Sequence, residues 1–169
     1  ERMLSRIRPC AETFSQWYDG QPLDSQRYEV ELDGVRLHGR VEQIHPQGLI
    51  RLQAGAPGVA YVLRGGLDWL LVNAAGVPSS MLQFHDNGQA DYGPHRLPEL
   101  SAEAAQEALK ALLRLRSEGM QAPLLFAPYT GWEVYRAGPD KRESEARKKW
   151  HGGEHSWGES GGEALQLAF

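Results

Sequence analysis

Cysteine is almost missing: Cys10 is the only one among 169 residues. A lone thiol rules out an internal disulfide framework and a multi-cysteine zinc site, and it suits a reducing cytoplasm. Its neighbours Arg8, Pro9 and Ala11 supply no base, so nothing marks it as a nucleophile. Long apolar runs are also missing. A membrane span needs roughly 18 to 20 apolar residues, and the longest stretch here, Leu67 to Ala75, is broken by Asp68 and Asn73. No signal-peptide pattern opens the chain. These absences lead us to expect a soluble, cytoplasmic protein with no membrane partner. Basic charge is in deficit, with 18 Lys and Arg against 22 Asp and Glu and a net charge of −4. That balance argues against a general nucleic-acid binder but leaves room for a local basic patch. There is no internal repeat, no low-complexity tract and no G-x-x-x-x-G-K-S/T loop for nucleotide phosphates.

What is present is enough for a core, since 41% of the residues are hydrophobic. The length fits a single domain over 1–169, read as a lead-in (1–27), a core (28–126) and an irregular C-terminal extension (127–169). The chain opens on Glu1 and its first methionine is Met3. We therefore expect a piece of a longer polypeptide, with some of its surface made for an interface.

Tyr28, Val30 and Leu32 alternate with Glu29 and Glu31, and Val35, Leu37, Gly39 and Val41 alternate with charged residues and His38. Period-2 alternation on either side of Asp33-Gly34 predicts a hairpin with a two-residue type I′ turn. Gly48 to Gln53 predicts a third strand, with Ile50 and Leu52 on one face and Leu49, Arg51 and Gln53 on the other. Leu63, Leu67, Leu70, Leu71 and Ala74 fall at helical spacing and end at Gly76, with Gly65-Gly66 implying a kink, a late start or close packing. Met81 to Phe84 and Ala90 to Tyr92 flank Asp86-Asn87-Gly88 as a second hairpin. Ser101 to Glu118 predicts a capped helix ended by Gly119. Pro123 to Tyr135 reads as irregular, Glu143 to Trp150 as a short charged helix, and the rest as a Gly-rich tail. Strands and helices without regular βαβ alternation give an α/β class, a mixed sheet with flanking helices.

Five segments in order resemble one family, the exodeoxyribonuclease V gamma subunits (RecC), at their C-terminal domain. Glu118-Gly119-Met120-Gln121-Ala122-Pro123-Leu124-Leu125-Phe126 resembles its "G-M-x-x-P-L" segment, with Trp132 following. Ala146-Arg147-Lys148-Lys149-Trp150 resembles its "AR-x-x-W" helix. Gly158-Glu159 and Leu167-Ala168-Phe169 resemble its "GE…LAF" ending. Gly48-Leu49-Ile50-Arg51 resembles a "G-L-V-R" strand. Trp69-Leu70 with Asn73-Ala74 resembles a "WL…NA" helix. The sequence departs from the family at Gly161-Gly162, where acidic residues are usual, and at Gly65-Gly66, where charged ones are.

The resemblance implies a PD-(D/E)XK nuclease-like fold without the activity. Such nucleases place an acid on one strand and Asp/Glu-x-Lys on the next, so that carboxylates hold Mg²⁺ and the lysine assists the attacking water. On this chain those positions are Glu42, Arg51 and Gln53. A guanidinium in place of the second carboxylate adds positive charge where a metal would sit, and Gln53 cannot act as an ammonium. We therefore expect a degenerate site with no cofactor and no bound metal, in which Glu42 is a solvated strand residue.

Other readings are weaker. His151-Gly152-Gly153-Glu154-His155 matches the H-x-x-E-H zinc motif, but the two glycines oppose the helix that this chemistry needs. A polar loop is the better expectation. His38, His45, His85 and His95 show no ligand spacing. Arg147, Lys148 and Lys149 are interleaved with Glu143 and Glu145 and read first as a charged helix face. Trp132, Tyr129 and Tyr135 read first as packing. These basic residues and Trp132 are the candidates for DNA or partner contact. The resemblance implies a scaffold domain of the RecBCD helicase–nuclease that contacts the RecB and RecD subunits and guides DNA during recombinational break repair. The alternative is a residual metal-dependent DNA nuclease.

Overall fold

The structure, a computed structural model, describes residues 2–17, 20–53, 55–125, 127–153 and 156–168. It is a mixed α/β protein whose contacts divide at Arg114–Leu115 into two units.

The first unit opens with helix α1 (Arg2–Trp17), which the sequence pattern does not announce. Pro9 lies inside it, at a cost of about 3 kcal/mol in a helix interior. Docking offsets that cost. Cys10 is buried with Ile50, Leu82 and Phe84, with Phe14 packed against them. The rings of Phe14 and Trp17 lie 5.1 and 5.3 Å from that of Phe84. Each fully buried large apolar side chain contributes about 2 kcal/mol.

The hairpin forms as expected from β1 (Gln26–Leu32) and β2 (Val35–Val41), with Leu32 opposite Val35. Asp33 and Gly34 take φ of +50° and +79°, the two positive values that a type I′ turn requires. A second, four-stranded sheet runs in the order β3 (Ile44–His45), β4 (Gly48–Leu52), β5 (Met81–Phe84), β6 (His95–Leu97). β4 and β5 are parallel and the other pairs antiparallel. Helix α2 (Val59–Ala74) makes the crossover that a parallel pair needs.

The central strands are covered on both faces. Leu49 and Met81 pack with Val41, Ile44 and Val72 toward α2, while Ile50, Leu82 and Phe84 pack toward α1. One face of β4 was therefore not left to solvent. Leu49 and Ile50 are both buried and Leu52 is exposed. Gly65 explains its own place: an added Cβ would lie 3.4 Å from the Met81 sulfur, so the helix packs closely there without kinking or starting late. The hairpin packs through Val30 and Leu32 on Ala74 of α2 and on Ala105 and Leu109 of α3 (Ala102–Gln121).

Two expectations need correction. The partner of β5 is His95–Leu97, not Ala90 to Tyr92. Between them the side chains of Asp86, Asn87 and Asp91 bind the amides of Gly88, Gln89 and Gly93, while His85 and Asn87 donate their amides to the carbonyls of Tyr92 and Asp91. Helix α3 continues past Gly119 to Gln121.

Asn73 fastens this unit. It is 1% exposed. Its amide nitrogen donates to the carbonyls of Trp69 (2.8 Å) and Ser79 (2.9 Å), and its oxygen accepts the amides of Ser79 (3.0 Å) and Leu100 (3.1 Å). Trp69 donates its indole N–H to the same Ser79 carbonyl. One side chain thus joins the end of α2, the entry to β5 and the approach to α3.

The second unit contains the end of α3, then α4 (Pro128–Arg136), α5 (Arg142–His151) and α6 (Glu163–Ala168). Helix α4 lies within the stretch read as irregular. Its first amides are held from a distance: the buried Glu159 carboxylate accepts the N–H groups of Tyr129 (3.1 Å) and Thr130 (2.6 Å). A carboxylate at a helix N-terminus satisfies orphan donors and complements the helix dipole. Gly158 beside it lies against the end of α5, where a Cβ would meet the His151 carbonyl carbon at 2.3 Å.

Asn73→Ala leaves the half-buried amides of Ser79 and Leu100 without an acceptor. It should lower stability by about 3 kcal/mol, read as a lower urea midpoint at unchanged slope.

Candidate functional site

The hairpin, β4 and α2 bring the expected nuclease positions to one place. Glu42 directly follows β2 and is exposed, and Gln43 after it turns with φ +57°. The Glu42 carbonyl, not its carboxylate, faces Arg51, accepting from Nη1 at 3.1 Å. The same nitrogen donates to the Ile50 carbonyl at 3.0 Å. Nη2 meets the Asp68 carboxylate of α2 at 2.5 Å. The Arg51 side chain is only 14% exposed and Asp68 38%, so this pair is shielded far better than an ordinary surface ion pair. Gln53 donates from Nε2 to the Ala56 carbonyl at 3.4 Å, and its backbone carbonyl accepts from the Cys10 thiol. Burial holds that thiol in its neutral form by pushing its pKa up, with Asp86 adding to the effect.

Mg²⁺ requires several oxygen ligands, carboxylates above all, in near-octahedral order. Glu42, Arg51 and Gln53 do not fit it. Among the described residues, no three His, Cys, Asp or Glu side chains converge in a way that would hold a metal ion. A pocket of about 390 Å³ adjoins Arg51, lined by Phe14, Gln43, Ile50, Leu52 and Tyr61. Burial pushes the Tyr61 phenol up, more than nearby Arg51 lowers it. The residue that sequence reasoning missed is Asp68. Its signal was visible as an acid interrupting the apolar run of α2.

In the second unit the contact candidates are engaged locally. Arg147 binds Glu143 through Nε and Nη2, and Lys148 lies 3.9 Å from Glu145. Lys149 sits over the rings of Tyr129 and Trp157, at 5.5 and 5.6 Å. Trp132 stacks on Tyr135 at 5.6 Å. Tyr135 and Trp157 remain largely exposed. His151 closes α5, whereas Glu154 and His155 of the H-x-x-E-H motif lie outside the described residues.

Strand pairing brings two of the scattered histidines together. The rings of His85 and His95 are 4.2 Å apart, and His95 Nε2 lies 3.1 Å from the His85 carbonyl. Burial pushes the pKa of His85 down, and the neighbouring His95 adds to that. Burial also lowers His45, which is 5% exposed.

Comparison with known proteins adds a lineage to this geometry. The family described as RecC C-terminal domain matches residues 1–139. The RecBCD enzyme subunit RecC of Escherichia coli (strain K12) is 32% identical over 111 residues, which cover 66% of this chain and 10% of that protein. The chain thus spans a small part of the length of that relative.

The histidines set a pH dependence. Below about 6.5 the unfolded chain takes up protons that His85 and His45 refuse while folded, so stability falls as pH drops through that value toward their depressed folded values. The urea midpoint should fall between about pH 7.5 and about pH 5.5, and His85→Phe, which keeps a ring but cannot titrate, should shrink the fall.

Proposed function

This chain belongs to the RecC C-terminal domain family, and from that premise we propose that it is a non-catalytic scaffold domain of a RecBCD-type helicase–nuclease. In this reading its surface contacts the RecB and RecD subunits in the cytoplasm and helps guide DNA strands during double-strand break repair by recombination. Its first unit would be a PD-(D/E)XK nuclease-like fold whose site has lost its chemistry.

The observation that carries the reading is Arg51. It stands where the second acid of such a site belongs, its side chain is largely shielded from solvent, and Asp68 neutralises it. Support for the fold comes from the placing of the elements. A hairpin ends just before Glu42, β4 carries Arg51 after the short β3 and leads to Gln53, and a helix returns the chain to a strand parallel to β4. Support for a contact role comes from the second unit, where Tyr135 and Trp157 are exposed beside a run of basic residues.

The test uses the full-length subunit carrying this domain, co-expressed with its RecB and RecD partners. The three should co-elute, and Glu42→Ala should leave cleavage of linear DNA in Mg²⁺ or Mn²⁺ unchanged. Cleavage lost with Glu42→Ala would instead support the residual nuclease, and failure of the subunits to associate would contradict the scaffold.

A further inference from the structure

Three segments converge on the Arg51 guanidinium, and each presents an oxygen to it. The Glu42 carbonyl comes from the end of the hairpin, the Ile50 carbonyl from β4, and the Asp68 carboxylate from α2, at 3.1, 3.0 and 2.5 Å. Tyr61, on the same helix as Asp68, lines the adjoining pocket, and its buried hydroxyl has no hydrogen-bond partner among the described residues. Oxygen donors of mixed charge around one positive centre are the surroundings that a hard divalent cation takes. Here a covalently attached cation occupies them. A guanidinium offers five N–H donors in a fixed plane and stays charged at any ordinary pH, so it can satisfy several oxygens at once and needs no exchange with solvent.

We infer that Arg51 is a built-in replacement for a divalent metal ion, and that the oxygens around it form a latent cation site which the side chain keeps closed. The inference deepens the proposed loss of catalysis and rests on that reading of the site. It adds a specific claim: the positive charge that these oxygens require is supplied by a side chain of the protein and not by a bound ion. Removing the guanidinium leaves Asp68 as an uncompensated carboxylate beside two carbonyls. Supplying a second carboxylate at position 51 completes a set that Mn²⁺ binds.

The experiment is thermal unfolding of the full chain with and without millimolar MnCl₂, at ionic strength matched with KCl. Wild type should not respond to the metal. Arg51→Glu should unfold at lower temperature than wild type without metal and regain about 4 °C or more with Mn²⁺. Adding Asp68→Asn to that variant should abolish the gain. If Arg51→Glu does not fold in either condition, Arg51→Ala serves instead, with a smaller Mn²⁺-dependent gain that again needs Asp68. No Mn²⁺ response in a folded variant, or a response that survives Asp68→Asn, overturns the inference. Such a failure leaves the scaffold reading standing if wild type neither cleaves DNA nor loses its partners. Wild-type cleavage dependent on Glu42 would remove the scaffold reading itself.

Discussion

The first unit depends on one fixed positive charge. Arg51 lies on the central strand β4, and its guanidinium reaches the chain leaving the hairpin and the carboxylate on the crossover helix. An arginine that is 14% exposed is tolerated only where its donors are met and its charge is balanced, and Asp68 supplies the balance. The hairpin exit, the central strand and α2 are therefore held in one arrangement by protein groups alone. Removing either charge leaves the other uncompensated, which couples the packing of α2 to the identity of a single residue on the sheet.

That constraint works beside a second, neutral one. Asn73 sits further along the same helix and joins Trp69, Ser79 and Leu100, so α2 is fixed to the sheet near its middle by an ion pair and at its end by amide hydrogen bonds. On either side of Asn73 the helix buries Val72 and Ala74 in two different clusters. The second unit uses the same device on a smaller scale. Glu159 brings a buried carboxylate to the first amides of α4, and the adjoining Gly158 packs against the backbone at the end of α5. The "WL…NA" segment, within the matched residues, and the "GE" segment, which lies beyond them, are in both cases hydrogen-bonding fixtures of the fold. Their chemistry is structural, in keeping with a proposed role in assembly.

Much of this was legible in the residues. The hairpin could be read because alternation and Asp33-Gly34 agree, and the long helix α3 because Ser101 caps an apolar stripe. Arg51 was found because its charge is wrong for a metal site, whatever surrounds it. What was hidden depends on long-range partners. Helix α1 contains Pro9 and forms because Cys10 and Phe14 dock on β4 and β5. Helix α4 lacks a local cap and takes one from Glu159, about thirty residues on. Asp68 was noticed only as a break in an apolar run, and Asn73 as that and as part of the "WL…NA" segment, since sequence spacing could not show that each would face a donor on another element. Pairing of β5 with His95–Leu97 was missed because the side chains of Asp86, Asn87 and Asp91 bind the intervening backbone in place of a tight turn.

The most direct measurement of the central claim is anomalous diffraction from crystals of the wild-type chain soaked in MnCl₂. The predicted map shows no manganese peak within bonding distance of Asp68 and continuous density joining its carboxylate to the Arg51 guanidinium. A manganese peak on Asp68, with Arg51 displaced into solvent, would contradict it.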